Sequence, residues 1–325
     1  MSTIRSFTVL ARDLAVRLAG GVVAVAGVMG VAGVANAQSV SLAGRAYASV
    51  AGSSDFVLQQ FSVVAWIHPT GAGENGGGTI LTAGQHPGQG TFLCSYWTGW
   101  GSDGRLSGMV VHQYSVLGTV VTSQATVPIG QTGHMALTFD GTTLRLYVNG
   151  VLDQAVPYGF SGVEFVGVPE INLGAFQQGS GYTFNRFDGQ LDDVALWGRA
   201  LSAGEVASLA GCGSPVRVGG LVAYYPFSGS SLVDASGHAH HASAQGAVTF
   251  GPDLSTRCPV DLDDGSGAGT CDGGVDVNDL LYFLTQYEAG DAAVDLDDGS
   301  GSGTADGGVD INDLLFFLAH YEAGC

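Results

Sequence analysis

Carboxylates at repeated spacing are the residues of this chain best suited to chemistry. Asp261 to Gly290 reads DLDDGSGAGTCDGGVDVNDLLYFLTQYEAG, and Asp295 to Gly324 reads DLDDGSGSGTADGGVDINDLLFFLAHYEAG. The copies agree at 24 of 30 positions, 34 residues apart. A calcium loop takes oxygens from positions 1, 3, 5, 7, 9 and 12, with Gly at position 6 for the sharp turn. With Asp279 at position 12, Asp276 falls at 9, Val275 at the apolar position 8, the Gly274 carbonyl at 7, Gly273 at 6 and Asp272 at 5. Asp261 and Asp263 supply positions 1 and 3 from upstream, beyond a Gly/Ser insert running from Asp264 to Thr270. The second copy repeats the set with Asp295, Asp297, Asp306, Asp310 and Asp313. Oxygen-only donors of this kind suit calcium, and a solvated acidic linker would not repeat the glycine and the apolar position.

Each loop runs into an amphipathic helix, Leu280, Leu281, Phe283, Leu284 and Tyr287 in one copy and Leu314, Leu315, Phe317, Leu318 and Tyr321 in the other, with Gly290 and Gly324 as stops. The two apolar faces are expected to pack together, so that metal removal unfolds the pair. Charge follows the same division. Residues 261–325 carry 15 of the 29 carboxylates and no Lys or Arg, in a chain of formal charge −19 that lacks lysine altogether. Such a tail repels nucleic acid and anionic membrane, and divalent cations are its natural partner.

The second group with chemical promise is aromatic. Tyr96, Trp97 and Trp100, in CSYWTGWGSDG, place rings beside a Gly-rich stretch, as a stacking platform for sugar rings requires. A strand of core aromatics followed by a turn is the competing reading. Catalytic patterns are lacking. Glu164 and Glu170 form the one close glutamate pair of the body, without a partner carboxylate arrangement for glycoside cleavage. His238, His240 and His241 lie in a turn-like stretch with no serine or cysteine nucleophile pattern around them.

The elements that must position these residues are mostly short strands. Phe61–His68 is β-branched and aromatic, and Pro69 stops it. Met135, Leu137 and Phe139 alternate with polar or small residues, Asp140-Gly141 turns the chain into Leu144, Leu146 and Val148, and Asn149-Gly150 turns it again. Further strands are expected at 79–82, 106–112, 119–125, 170–173 and 190–197. Ser202-Ala203-Gly204-Glu205 is a capping box ahead of one short helix. Fifty-three glycines and many antiparallel strands give an all-β class, a β-sandwich or jelly roll.

Residues 1–37 are expected to be a signal peptide. Arg5, Arg12 and Arg17 precede an apolar stretch, and Ala35-Asn36-Ala37 supplies a small-x-small cleavage pattern. Cleavage would leave no later segment able to span a bilayer and would send the chain outside the cell, secreted or at the surface. Export permits disulfides among Cys94, Cys212, Cys258, Cys271 and Cys325. Cys258 and Cys325 bracket the repeats and are the expected pair. Cys271 is Ala305 in the other copy and so is no metal ligand.

FSVVAWIHPT (61–70), HMALTFDGTTLRLYVNGVL (134–152) and FDGQLDDVALWGRALSAGEVASL (187–209) resemble the laminin-G-like, concanavalin-type jelly-roll modules of bacterial secreted proteins. The resemblance implies a jelly roll over 38–257 that serves sugar binding, protein binding or spacing. Leu221–Phe227 and the Asp234-Ala235-Ser236-Gly237 turn match the opening of such modules but follow the body here. Residues 219–257 are therefore either a permuted part of the first sandwich or a truncated second module. In related modules this turn and the acidic strand contribute to a calcium site, which here implies Asp234 with Asp192 or Asp193. The paired loop-helix units of 258–325 resemble dockerin domains, apart from their insert, and imply a protein partner for the tail.

The expectation is an exported, non-catalytic binding protein that holds calcium and recognises carbohydrate or a surface protein. The alternative is a secreted polysaccharide-active enzyme or its accessory carbohydrate-binding subunit.

Overall fold

Among the described residues, fifteen strands are distributed between two large sheets, and two more form a separate hairpin. The computed structural model describes residues 39–323, apart from 45, 85–94, 112–117, 164, 166, 179–181, 212, 256–257, 268, 270–273, 302 and 304–306. The leader 1–37, Cys94, Cys212, Cys271, Asp272, Asp306 and Cys325 thus lie outside the described residues, as does Glu164. In chain order the first strands are β1 (Ser39–Leu42), β2 (Tyr47–Val50), β3 (Phe61–Pro69), β4 (Gly77–Gly84), β5 (Tyr96–Gly101) and β6 (Arg105–Val111). Then come β7 (Gly118–Thr126), β8 (Gly133–Phe139), β9 (Thr143–Val148), β10 (Val151–Pro157) and β11 (Glu170–Leu173). The hairpin β12 (Phe176–Gln178) and β13 (Tyr182–Phe184) precedes β14 (Gly189–Trp197) and helix α1 (Ala203–Ala210). The chain ends with β15 (Leu221–Tyr225), β16 (Ala242–Gln245), β17 (Thr249–Gly251), α2 (Val277–Ala289) and α3 (Ile311–Ala323).

The eight-stranded sheet runs β10-β9-β8-β3-β14-β1-β17, with β15 also on β14, and the seven-stranded sheet runs β16-β2-β11-β4-β5-β6-β7. Alternation decides which side chains fill the space between them. Phe61, Val63, Ala65 and Ile67 of β3, Met135, Leu137 and Phe139 of β8, and Ile80, Leu81 and Ala83 of β4 belong to one buried core. The opposite face of the eight-stranded sheet presents Val64, Ala136, Tyr147, Ala195 and Trp197, which Val206 and Leu209 of α1 cover. That helix begins at the expected capping box, Ser202 and Glu205 bonding each other's backbone N–H. The Asn149-Gly150 turn has positive φ at both residues, as a tight hairpin requires.

Residues 219–257 are hydrogen-bonded into both sheets. β15 pairs the second half of β14 and β1 the first half, the two meeting at a bulge where Asp193 takes φ +46. β16 adds to β2 and β17 to β1, each lying outermost in its sheet. At the other side of the sandwich, a bulge in β10 turns Asp153 towards β7. Its carboxylate accepts the Gln124 and Ala125 N–H groups at 2.7 and 2.8 Å.

The C-terminal pair of helices has its own small core. Phe283 and Phe317 stack with ring centroids 4.4 Å apart, and Val260, Leu262, Val294 and Leu296 close round them. The Arg217 guanidinium donates to the Ala293 carbonyl, tying this unit to the sandwich. The expected apolar faces are corrected in part. Leu281 and Leu284, and their counterparts Leu315 and Leu318, are exposed, while Phe283, Phe316 and Phe317 are buried and Leu280, Tyr287, Leu314 and Tyr321 pack against them.

Candidate functional site

The two-residue period of β5 divides the aromatic cluster expected to bind sugar. Tyr96, Thr98 and Trp100 face inward, and Trp97 and Gly99 face outward. Tyr96 is fully buried and its ring stacks on Phe61 at 4.3 Å. Its hydroxyl donates to the Phe56 carbonyl at 3.3 Å, and burial pushes the phenol well above its ordinary range. Trp100 is 2% exposed, meets Phe187 edge-on, and its Nε1–H donates to the Val127 carbonyl at 2.8 Å. Both rings are core, so neither can stack on a ligand, which corrects the expectation for Tyr96 and Trp100.

Trp97 stands on the outer face of the seven-stranded sheet, half-buried. Its indole lies over Gly99, where an added Cβ would come within 2.3 Å of the ring. The Nε1–H donates to Thr79 Oγ1 at 3.0 Å, fixing the ring against the sheet. Met109 of β6 is its cross-strand neighbour, and Phe184 of the β12–β13 hairpin completes a half-exposed apolar rim over buried Val111 and Phe176. A pinned aromatic ring with uncharged neighbours offers a surface for the C–H face of a sugar. Sequence reasoning missed Thr79, Met109 and Phe184. Cross-strand pairing brings the first two to Trp97, and no local signal in the sequence announces it.

The acidic bulge of β14 is a second centre. Asp192 and Asp193 are both buried, and the Tyr224 hydroxyl donates to Asp193. Asp192 accepts the Asp193 N–H at 2.8 Å and the Leu254 N–H at 2.9 Å. Burial, followed by the charge of Asp193 and then contact with Asp253, pushes its carboxyl up to about 10. Asp253, unmarked by any motif, is the residue that joins this pair. Asp234 is occupied elsewhere. It accepts the N–H groups of Tyr224, Ser236 and His240 at 2.9 Å each, together with the Ser236 hydroxyl. Burial raises its carboxyl, but those bonds outweigh it and hold the group below its ordinary value. Asp234 therefore builds a turn.

In the tail Asp261, Asp263 and Asp279 are all buried, Asp279 standing in the first turn of α2. Asp279 accepts the N–H groups of Leu262, Asp263 and Asp276. Asp263 is cradled by the N–H groups of Gly265, Gly267 and Gly269, each glycine at positive φ. The second copy repeats this with Asp313 and with Asp297. Asp276 and Asp310 are exposed, and each accepts the N–H group two residues on, Asn278 and Asn312, at the start of its helix. Among the described residues no three His, Cys, Asp or Glu side chains are set round a common metal point. The buried carboxylates still fit a hard cation in donor chemistry, since carboxylate oxygens are hard donors and no Lys or Arg lies in 258–325. Cys258 is disulfide-bonded, and the other four cysteines lie outside the described residues.

A family model described as the concanavalin A-like lectin/glucanases superfamily matches residues 42–207. Among solved structures the chain is similar to a candidate carbohydrate-binding protein from Bacteroides ovatus. The two are 18% identical over 67% of this chain and 60% of that one, with a TM-score of 0.49. A heptameric SAP-like pentraxin from Limulus polyphemus gives 18% identity, 68% and 96% coverage and a TM-score of 0.49. The CBM40 of the Ruminococcus gnavus IT-sialidase, bound to α2,3-sialyllactose, gives 15% identity, 54% and 98% coverage and a TM-score of 0.45. No curated protein matches the sequence.

Proposed function

From the premise that the chain belongs to the concanavalin A-like lectin/glucanase superfamily, we propose that it is an exported, non-catalytic carbohydrate-binding protein. The observation that carries the reading is Trp97, held flat over Gly99 by its bond to Thr79 and flanked by Met109 and Phe184. An aromatic ring kept half-open on a sheet face, with its polar edge already satisfied, is rigid before the ligand arrives, which lowers the ordering cost of binding. The tail adds calcium binding, with Asp261, Asp263 and Asp279 and their counterparts Asp295, Asp297 and Asp313 as the residues that would hold the ion. Calcium there would neutralise carboxylates that have no basic neighbour in sequence, and the tail would serve attachment to a protein partner.

A glycan-array screen of residues 38–325, in calcium and again in chelator, tests the proposal. Binding to a defined sugar that is lost in Trp97→Ala supports it. Absence of binding to any glycan in both conditions would overturn the carbohydrate reading. A tail whose thermal unfolding ignores calcium would overturn the metal reading.

A further inference from the structure

We propose that the Trp97 face takes uncharged glycans and rejects sialylated, uronic or sulfated ones. The inference rests on the carbohydrate reading and deepens it. Recognition of a carboxylate or sulfate in a sugar calls for a guanidinium or ammonium at the site. The chain has no lysine, and between residues 46 and 185 it has two arginines, Arg105 and Arg145. Arg145 Nη1 donates to Asp140 at 2.6 Å. Arg105 shares the outer face with Met109 but lies four positions further along β6, about 13 Å away at strand rise. Asp103 stands 3.7 Å from its Nε. Residues 77–126, which build β4 to β7 and every loop between them, contain that one acid and that one base and no other Asp, Glu, Lys or Arg.

The remaining described arginines are engaged as well. Arg186 holds Glu74, Arg199 holds Glu205, and Arg217 holds the Ala293 carbonyl. Freeing any of them would strip a carboxylate or a carbonyl of its donor. The field over the molecule works in the same direction. A formal charge of −19 repels an acidic ligand on approach, and a neutral face supplies no local attraction to offset it.

The test uses matched pairs of one oligosaccharide with and without a terminal sialic acid or sulfate. Residues 38–325 are titrated with each at pH 7.5, in chelator and in calcium. The expected result is that the neutral member binds and the acidic member binds about tenfold more weakly or worse, the gap narrowing as salt rises. Ser107→Arg, a half-exposed position between Arg105 and Met109 on the same face, is expected to close that gap while leaving neutral binding in place. Equal or tighter binding of the acidic member in chelator overturns the inference and leaves the carbohydrate reading standing. Acidic binding that appears only in calcium also overturns it and passes the selectivity to the metal. Failure of every glycan overturns both.

Discussion

Replacing Trp97 and Trp100 one at a time separates the proposed binding ring from a core ring three residues away. Trp100→Ala removes a side chain that is 2% exposed, which costs about 3–5 kcal/mol through lost transfer energy and the cavity left beside Phe187. The Val127 carbonyl also loses its donor, which adds about 1 kcal/mol. That sum is a large share of the ~5–15 kcal/mol that holds a typical domain together. Trp97→Ala removes a half-exposed ring whose neighbours Met109 and Phe184 already meet solvent. Its stability cost is expected near ~1–2 kcal/mol, in the range of ordinary substitutions. For glycan binding the order reverses. Loss of stacking at Trp97 is worth about 1.5 kcal/mol, or about tenfold in affinity, whereas Trp100→Phe should bind like the parent. Urea unfolding followed by fluorescence gives the first pair of numbers, and calorimetric titration with an array-positive neutral glycan gives the second. A Trp100→Ala protein as stable as the parent but deaf to glycan would refute the inward placement of that ring. Undiminished binding by Trp97→Ala would refute the platform.

The buried Asp192 predicts an unusual pH response, measured in chelator. Its folded value of about 10 exceeds the ~3.8 of an unfolded chain, so the native state keeps a proton that the unfolded state has lost. Its contribution is fully present below about pH 4 and is lost as pH rises towards 10, at ~1.4 kcal/mol per pH unit. Asp192→Asn keeps an acceptor for the Leu254 N–H and should remove that slope, becoming more stable than the parent by an amount that grows from pH 5 to pH 9; a constant difference would sink the assignment. Truncation after Gly211 strips β15 from β14, β16 from β2 and β17 from β1. The fragment 38–211 should therefore aggregate or show no cooperative unfolding, while 38–257 folds; a stable, monomeric 38–211 would mean that these strands are dispensable.

Much of the fold is legible in the sequence because its strands alternate and its turns use residues that tolerate positive φ. Met135 to Val148, the capping box at Ser202 and both tail helices are of this kind. The family of the body is legible on three segments that the family match spans nearly whole. The binding face is less so. Period 2 already places Tyr96 and Trp100 on one side and Trp97 on the other, but it does not say which side is the core. That depends on Phe61, Phe187 and Val127, which approach from 27 to 87 residues away and on both sides in sequence. The acidic bulge shows the same limit. Asp192-Asp193 is visible as a pair, yet Asp253 reaches it only because β17 returns along β1. In the tail, spacing from position 12 picks out Asp279, whose carboxylate accepts the Leu262 and Asp263 N–H groups, and the upstream Asp261 and Asp263. It also picks out Asp276, which caps α2.

The distribution of charge gives these separate parts one logic. A neutral reading face needs a scaffold that carries its ionised groups elsewhere, and this chain does so by pairing. Glu74 holds Arg186 between two connecting segments, Asp140 holds Arg145 within one hairpin, and Glu205 holds Arg199 at the foot of α1. With no lysine available, each arginine fixed in this way is unavailable to a ligand, as the proposed preference for uncharged glycans requires. Carboxylates without a basic partner are held by backbone N–H groups, as at Asp153, at Asp234 and in the tail, or are buried in the β14 bulge, where burial pushes Asp192 upward. Because Gly265, Gly267 and Gly269 already cradle Asp263, and Gly299, Gly301 and Gly303 already cradle Asp297, the Gly/Ser insert supplies part of the countercharge that a metal would otherwise provide alone.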